Sequence, residues 1–198
     1  MPGEATDERI LRTFLALAAT RGMAGVTTRD LARAAGVNEV TIFRRFGDKA
    51  SLALAAVRRF QPIDAIATYR PTIDTSTRER CLADLTACLR MLYHQLVTHP
   101  ELLQFGLADA ARHPDVLEEV KKIPDAARRL LTDALRQASP LLRGECDIEV
   151  EVLGLLGLLL LLASWRSRRW MRLSEDKAEA MLTARLRPLL RGPVADDA

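Results

Sequence analysis

Residues 27–52 read TTRDLARAAGVNEVTIFRRFGDKASL and predict two short helices joined by a tight turn, followed by the start of a third. Thr27 can cap the first helix, because its hydroxyl can accept a hydrogen bond from a free N–H of the first turn. Gly36 can end that helix, since glycine enters the left-handed conformation without a Cβ penalty. Asn38 and Asp48 are suited to cap the next two helices. This layout is that of a helix-turn-helix, which places one helix in the DNA major groove.

The same stretch resembles the DNA-binding domain of the tetracycline-repressor (TetR) family of bacterial transcription regulators. The likeness covers residues 10–57, about a quarter of the chain. The likeness is specific because residues of several different types all fall at the spacing found in the family. These are Phe14, Gly22, Thr27, Leu31, Ala32, Ala35-Gly36-Val37, Thr41-Ile42-Phe43, Phe46, Lys49 and Leu52. Phe43 stands where the family usually has Tyr, and Val40 where it usually has a small residue. Both differences bear on the target sequence.

The predicted DNA-contacting residues lie at helix N-termini or on the exposed face of the second helix. Thr28, Arg29 and Lys49 are expected to contact phosphates, which position a protein on DNA. The residues expected to face the groove are Asn38, Glu39, Val40, Thr41 and Arg44, and Thr27 and Phe43 complete the predicted DNA-binding set.

The charge of the chain agrees with a phosphate-binding surface near the N-terminus. Residues 1–60 hold ten Lys and Arg against six Asp and Glu, a net charge of +4, whereas the whole chain of 198 residues carries +3. Positive charge concentrated in one domain favours association with DNA. Hydrophobic residues make up 48% of the chain, which is sufficient for a buried core in one large or two small domains.

Beyond the helix-turn-helix, the pattern predicts more helices and no strands. We expect an all-α fold of about nine helices, in which residues 1–60 form a three-helix DNA-binding domain and residues 61–198 a helical dimerisation and effector-binding domain. Pro62 and Pro71 mark a connecting segment. Pro124 interrupts the helical pattern of residues 114–138, so it either kinks that helix or splits it in two.

The run Val152–Trp165 contains fourteen residues and no charge. A membrane span needs about 20 such residues, so no membrane association is expected. A helix that is apolar on all sides must be buried on more than one side, either inside a monomer or against a partner. The family resemblance implies the second alternative, a homodimer in which the last two helices pair with their counterparts. The expected interface residues are Leu155, Leu158, Leu159, Leu162, Met181, Leu182 and Leu186, and the pattern leaves open which face meets the partner.

The sequence argues against catalysis and metal binding. It contains no phosphate-binding glycine loop, no G-x-S-x-G and no H-E-x-x-H motif. The three cysteines lack zinc-type spacing and are expected to be reduced thiols of a cytoplasmic protein. Residues 1–20 lack the apolar segment of a secretory signal. We therefore expect no cofactor and no enzyme activity.

The resemblance also implies a small molecule bound in the helical core that alters DNA binding. The candidate effector-binding residues are Cys88, Met91, Gln95, Phe105 and Trp165, although each is more typical of an ordinary core than of a ligand site. A core rich in Leu and Ala suits a small apolar effector. The predicted function is a homodimeric, effector-responsive repressor of an inverted-repeat operator, since two heads related by a twofold axis read such a repeat. The alternative is a helical ligand-binding or scaffold dimer whose head no longer reads DNA.

Overall fold

The computed structural model describes residues 2–144, 146–168 and 172–191. Over these residues the chain forms ten α-helices, three 3-10 helices (Ala110–Arg112, Ser139–Leu141 and Arg187–Leu189) and no β-sheet, which confirms the all-helical class. The α-helices are α1 (Pro2–Arg21), α2 (Thr28–Ala35), α3 (Glu39–Phe46), α4 (Lys49–Phe60), α5 (Ile63–Thr68), α6 (Arg78–Thr98), α7 (Pro100–Ala108), α8 (Pro114–Gln137), α9 (Ile148–Ser167) and α10 (Glu175–Leu186).

The structure adds a helix after Pro62 and decides between the two alternatives at Pro124. The connecting segment after Pro62 contains α5, which is only six residues long and therefore too short to show a helical period. Of the two alternatives at Pro124, the split is not observed, because α8 runs continuously through this residue. Proline removes one backbone hydrogen bond, and the other turns of this 24-residue helix keep theirs.

By their internal contacts the residues form two units. Unit 1 comprises the chain up to Gln61 together with His99–Lys122, and unit 2 comprises Pro62–Thr98 together with the residues from Ile123 onward. Residues 99–122 thus group with the N-terminal helices. The functional division into residues 1–60 and 61–198 remains a prediction, since contacts show which residues pack together and not what each unit does.

In unit 1, α1 is the central helix and packs against α2, α4 and α7. Phe14 of α1 and Phe105 of α7 meet edge to face, with ring centroids 6.0 Å apart, and neither ring is accessible to solvent. Aromatic pairs in this geometry stabilise a core beyond their buried area. Helix α1 is therefore packed against a helix, α7, that begins 40 residues after the end of α4.

Two buried carboxylates complete unit 1. Asp109 is 3% exposed and accepts a hydrogen bond from the Met23 N–H at 2.8 Å. Glu119 is 5% exposed and accepts hydrogen bonds from Lys122, Gln61 and Arg58 at 2.8–3.0 Å. These bonds, that of Lys122 foremost, lower the pKa of Glu119 from 4.5 to about 2. Both carboxylates are paired, as buried charges must be.

In unit 2, α6 packs against α9 and α10, and α9 also contacts α10. The buried residues of α6 recur at helical spacing and include Cys81, Leu85, Cys88, Leu89 and Leu92. This spacing places one apolar face of α6 in the core of unit 2.

Candidate functional site

Helix α2 is held at both ends by its own sequence. The Thr27 hydroxyl accepts the Asp30 N–H at 3.0 Å and donates its proton to the Asp30 carboxylate at 2.7 Å. The hydrogen bond from Thr27 lowers the pKa of Asp30. At the other end Gly36 has φ +65° and ψ +41°, the left-handed conformation predicted for it. The predicted cap and stop are both confirmed.

Helices α3 and α4 are positioned in the same way. The Asn38 side-chain oxygen accepts the Val40 N–H at 2.9 Å, and an Asp48 carboxylate oxygen accepts the Ser51 N–H at 2.7 Å. Accepting the Ser51 N–H lowers the pKa of Asp48. Both predicted caps are confirmed, so the start of each helix is fixed by a local hydrogen bond.

The exposed face of α3 carries two large apolar side chains and one cation. Val40 is 69% exposed and Phe43 is 56% exposed, while Arg44 is also exposed on the same side. Residues three and four apart share one face of a helix. On the opposite side of α3, Ile42 is buried and Phe46 is half-buried. Val40, Phe43 and Arg44 therefore face outward.

The structure brings four of the predicted DNA-binding residues together, two of which, Thr28 and Lys49, are predicted phosphate contacts. Thr27, Thr28, Phe43 and Lys49 line one small surface cleft between the starts of α2 and α4 and the middle of α3. The Lys49 ammonium donates to the Met23 carbonyl at 3.3 Å. A lysine has three donor hydrogens, so the ammonium can also donate to a phosphate oxygen.

The other predicted DNA-contacting residues do not line this cleft. Arg29 is 79% exposed at its side chain, and its Nε lies 3.6 Å from a Glu39 carboxylate oxygen. This exposed ion pair contributes little to stability. Glu39 and Thr41 are half-buried and Asn38 is exposed.

The predicted effector residues do not converge on one site. Cys88 and Phe105 are fully buried, whereas Met91, Gln95 and Trp165 are half-buried. Phe105 belongs to the core of unit 1, and the other four belong to unit 2. Burial raises the pKa of the Cys88 thiol to about 11, as expected for a cysteine packed as a small hydrophobe.

Unit 2 instead contains an open cleft of about 440 Å³. Of the five predicted effector-binding residues, Met91 alone lines this cleft. Its lining residues are Tyr69, Ala87, Arg90, Met91, Tyr93, His94, Glu175, Asp176, Glu179 and Leu182. Arg90 forms an ion pair with Glu179 at 3.4 Å. The sequence analysis missed this site because it considered residues near the apolar stripes, whereas six of the ten lining residues are Tyr, Arg, Asp or Glu, and four of the ten come from α10.

Helix α9 has two different apolar faces. Its inner stripe, buried in unit 2, consists of Val152, Leu155, Leu159, Leu162 and Ala163. Its outer strip, exposed to solvent, consists of Val150, Leu153, Gly154, Gly157, Leu160 and Leu161. A Cβ atom added at Gly157 would meet no other atom within 4 Å.

This orientation corrects most of the expected partner-facing residues. Leu155, Leu159 and Leu162, with Leu182 and Leu186 of α10, lie in the core of the protomer itself. Leu158 and Met181 are half-buried. The correction has a simple cause, since α6 and α10 cover one side of α9 and a uniformly apolar run does not indicate which side is covered.

By length and composition α9 could also cross a membrane, and 28% of its most apolar 18-residue window is buried in the protein. The sequence analysis expected no span because it considered only the fourteen uncharged residues from Val152 to Trp165.

Within the described ranges, no group of three or more His, Cys, Asp or Glu could hold a metal ion.

Comparison with known proteins places the helix-turn-helix in a family. Residues 10–56 match the family of bacterial regulatory proteins called tetR. The uncharacterised HTH-type transcriptional regulator YvkB of Bacillus subtilis is 28% identical over 131 residues, which are 66% of this chain and 66% of that protein. The aligned region thus spans just under two thirds of the relative.

Two solved structures share the fold over nearly the whole chain. NalD, the secondary repressor of the MexAB-OprM multidrug efflux pump in Pseudomonas aeruginosa, superposes with a TM-score of 0.73 at 19% identity, covering 95% of this chain and 98% of NalD. The ketosteroid transcriptional regulator KstR2 of Mycobacterium tuberculosis also gives 0.73, at 17% identity, covering 94% and 95% of the two chains. Residues 10–56 are thus similar to the helix-turn-helix of the TetR family of bacterial regulatory proteins, and the chain shares the fold of these two solved structures.

Proposed function

We propose that this regulator is a cytoplasmic, homodimeric repressor that binds an inverted-repeat operator and responds to a small effector. The observation that carries the proposal is the exposed face of α3, on which Val40, Phe43 and Arg44 stand clear of the protein. The capped starts of α2, α3 and α4 hold this face in a fixed orientation. A rigid helix with its N-terminal turn exposed can enter a major groove.

Phosphate contacts would come from the flanks of α3. Thr28, Arg29 and Lys49 lie at the starts of α2 and α4, where backbone N–H groups and the helix dipole favour an anion. Asn38, Glu39 and Thr41 would lie at the groove edge beside Val40. Arg44 would donate to a base, in the manner in which arginine reads guanine.

The outer strip of α9 supports the homodimer. Four of its members, Val150, Leu153, Leu160 and Leu161, are 37–63% exposed, and an apolar strip of this length on a soluble protein marks an interface. Gly157, where an added Cβ would meet no atom within 4 Å, leaves room for the close approach of another helix. A second copy presents an identical strip across a twofold axis, and the resulting contact is self-complementary.

A lipid bilayer is a less suitable occupant of this strip than a second copy. The inner stripe of α9 is already packed against α6 and α10, whose other faces are charged. Glu151, near the start of α9, forms an ion pair with Arg185 of α10. Charged neighbours of this kind would be expensive in hydrocarbon.

The 440 Å³ cleft of unit 2 is the proposed effector site. Its volume falls in the range of small-molecule sites, about 300–1,000 Å³. Tyr93 is 3% exposed, and its buried hydroxyl has no hydrogen-bond partner. An effector in the cleft could supply one. An effector for this cleft would combine apolar surface with polar groups, rather than being wholly apolar as the sequence led us to expect.

Selection from a random duplex library with the full-length protein tests the proposal. We expect an inverted repeat, bound by two chains, with affinity that falls steeply as salt increases. Lys49→Ala should weaken binding to all sequences and reduce the salt slope by about 1. Its control is Lys177→Ala on α10 in unit 2, which should leave the slope unchanged. Selection of no sequence, or of a site without repeat symmetry, would refute the operator model.

A further inference from the structure

Two large apolar side chains of the helix-turn-helix are left in solvent, and both stand on α3. In the described residues of this module, from Ile10 to Phe60, only Val40 and Phe43 are large apolar residues with such exposure, 69% and 56%. They are three residues apart and therefore share a face. An apolar pair on a DNA-reading helix calls for an apolar counterpart on the DNA.

The two residues occupy different positions relative to the phosphate-contacting side chains. Phe43 lines the small cleft with Thr27, Thr28 and Lys49, whereas Val40 does not. Val40 lies in the first turn of α3, the part of a recognition helix that contacts base edges. Geometry therefore separates Phe43, on the backbone side, from Val40, on the base side.

Val40 is also held rigidly. Its backbone N–H is bound by the Asn38 side chain at 2.9 Å, so that it is not free for a phosphate. A valine in a helix adopts one strongly preferred χ1 rotamer. The two methyl groups are thus presented in a fixed direction, with little entropy to lose on binding.

The chemistry of the major groove limits what Val40 can contact. Valine can neither donate nor accept a hydrogen bond, and covering a base nitrogen or oxygen with it would leave that polar atom unsatisfied. The single apolar group on the major-groove edges of the four base pairs is the C5-methyl group of thymine.

We propose that Val40 is a specificity-determining residue that contacts the C5-methyl group of one thymine in each operator half-site. This inference rests on the proposed function, because it requires α3 in a major groove. The net charge of +4 over residues 1–60 and the neighbouring Arg44 favour DNA over an apolar protein as the partner of this face.

The test replaces thymine by deoxyuridine, which removes the methyl group and keeps every hydrogen bond. Duplexes selected by the full-length protein are resynthesised with one such replacement in each half-site, position by position. At one symmetric position we expect binding to weaken about fourfold per half-site, the effect of one buried methyl group. Other thymines should tolerate the replacement.

Val40→Ala should remove the preference for thymine over deoxyuridine at that position. Alanine is the best helix former, so the variant should fold, which circular dichroism can verify. Phe43→Tyr is the matched control and should keep the preference, because it changes the backbone side of α3.

Equal affinity for thymine and deoxyuridine at every position would overturn the inference while leaving the proposed function intact. A preference that survives in Val40→Ala would overturn it too, since another residue would then read the methyl group. Absence of any sequence-selective binding would overturn both the inference and the proposed function.

Discussion

Helices α3 and α9 both leave large apolar side chains in solvent, but their surroundings differ. On α3 the apolar pair Val40 and Phe43 stands beside Arg44 on a helix of eight residues. On α9 the outer strip extends along a helix of twenty residues with no charge between Val152 and Trp165. A small apolar patch next to a cation suits an anionic partner with a few methyl groups. A long uncharged strip suits only a surface like itself.

The largest effect is expected from a charge placed on the outer strip of α9. Leu153→Arg would put two unpaired charges into one interface, with a loss of several kcal/mol in dimer stability. Sedimentation at micromolar concentration should show monomers, and operator binding should be lost although α3 is unchanged. Leu107→Arg is the control, since Leu107 is 50% exposed on α7 in unit 1. A Leu153→Arg variant that remains dimeric would show that the outer strip of α9 is not the dimer interface.

The same substitution on the two faces of α9 should give different results. Leu159 is 1% exposed, and Leu159→Ala should lower the free energy of unfolding by about 2–5 kcal/mol through the cavity it leaves. Leu153→Ala, on the outer strip, should change the unfolding of an isolated protomer by less than about 1 kcal/mol and mainly weaken association. Denaturation followed at several protein concentrations separates the two effects. Equal losses at all concentrations would mean that α9 has no free face.

A smaller and more selective effect is expected on α3. Arg44→Ala should weaken operator binding by about 1–3 kcal/mol and relax the preference at one base pair, because arginine binds guanine with two hydrogen bonds. Competition binding with single-base variants of the selected site measures this. A uniform loss for all base pairs would assign Arg44 to a phosphate instead.

The smallest effect concerns the acid stability of unit 1, the unit that contains α3, and it depends on Glu119 of α8. Because the pKa of Glu119 is about 2 in the folded protein against 4.5 ordinarily, its ionised form stabilises unit 1 fully above pH 4.5. This contribution disappears as the pH falls towards 2. It should not exceed about 1 kcal/mol, because the Arg58 and Lys122 partners are 61% and 55% exposed.

Glu119→Gln should therefore be less stable than the wild type at neutral pH and equally stable near pH 2. Denaturant titrations across this range test the expectation. Leu159→Ala serves as the reference, since a loss caused by a cavity does not depend on the ionisation of Glu119. A wild-type advantage that persists unchanged at pH 2 would contradict the assigned role of the charge.

Local structure proved predictable wherever one residue does one local task. Thr27, Asn38 and Asp48 cap their helices through hydrogen bonds that reach two or three residues along the chain. Gly36 adopts the left-handed conformation for which glycine is suited. Such features depend on neighbours in sequence, so the pattern of residue types suffices.

The cleft of unit 2 was less predictable, because its walls come from distant parts of the chain. Tyr69 and Glu179 line the same cleft, although they are far apart in sequence and neither belongs to an apolar stripe. Phe105 shows the opposite error, since an aromatic residue expected near a ligand is instead packed against Phe14 in unit 1.

The sequence by itself determined the helical class and the helix-turn-helix, since these follow from caps, glycines and helical periodicity, and the family resemblance indicated which residues of α3 face outward. Only the tertiary structure decided which side of α9 is buried and that residues 99–122 pack with the N-terminal helices. The physical reason is the same in both cases. A run that is apolar on every side carries no period, and a contact between distant segments depends on how whole helices pack rather than on any local pattern.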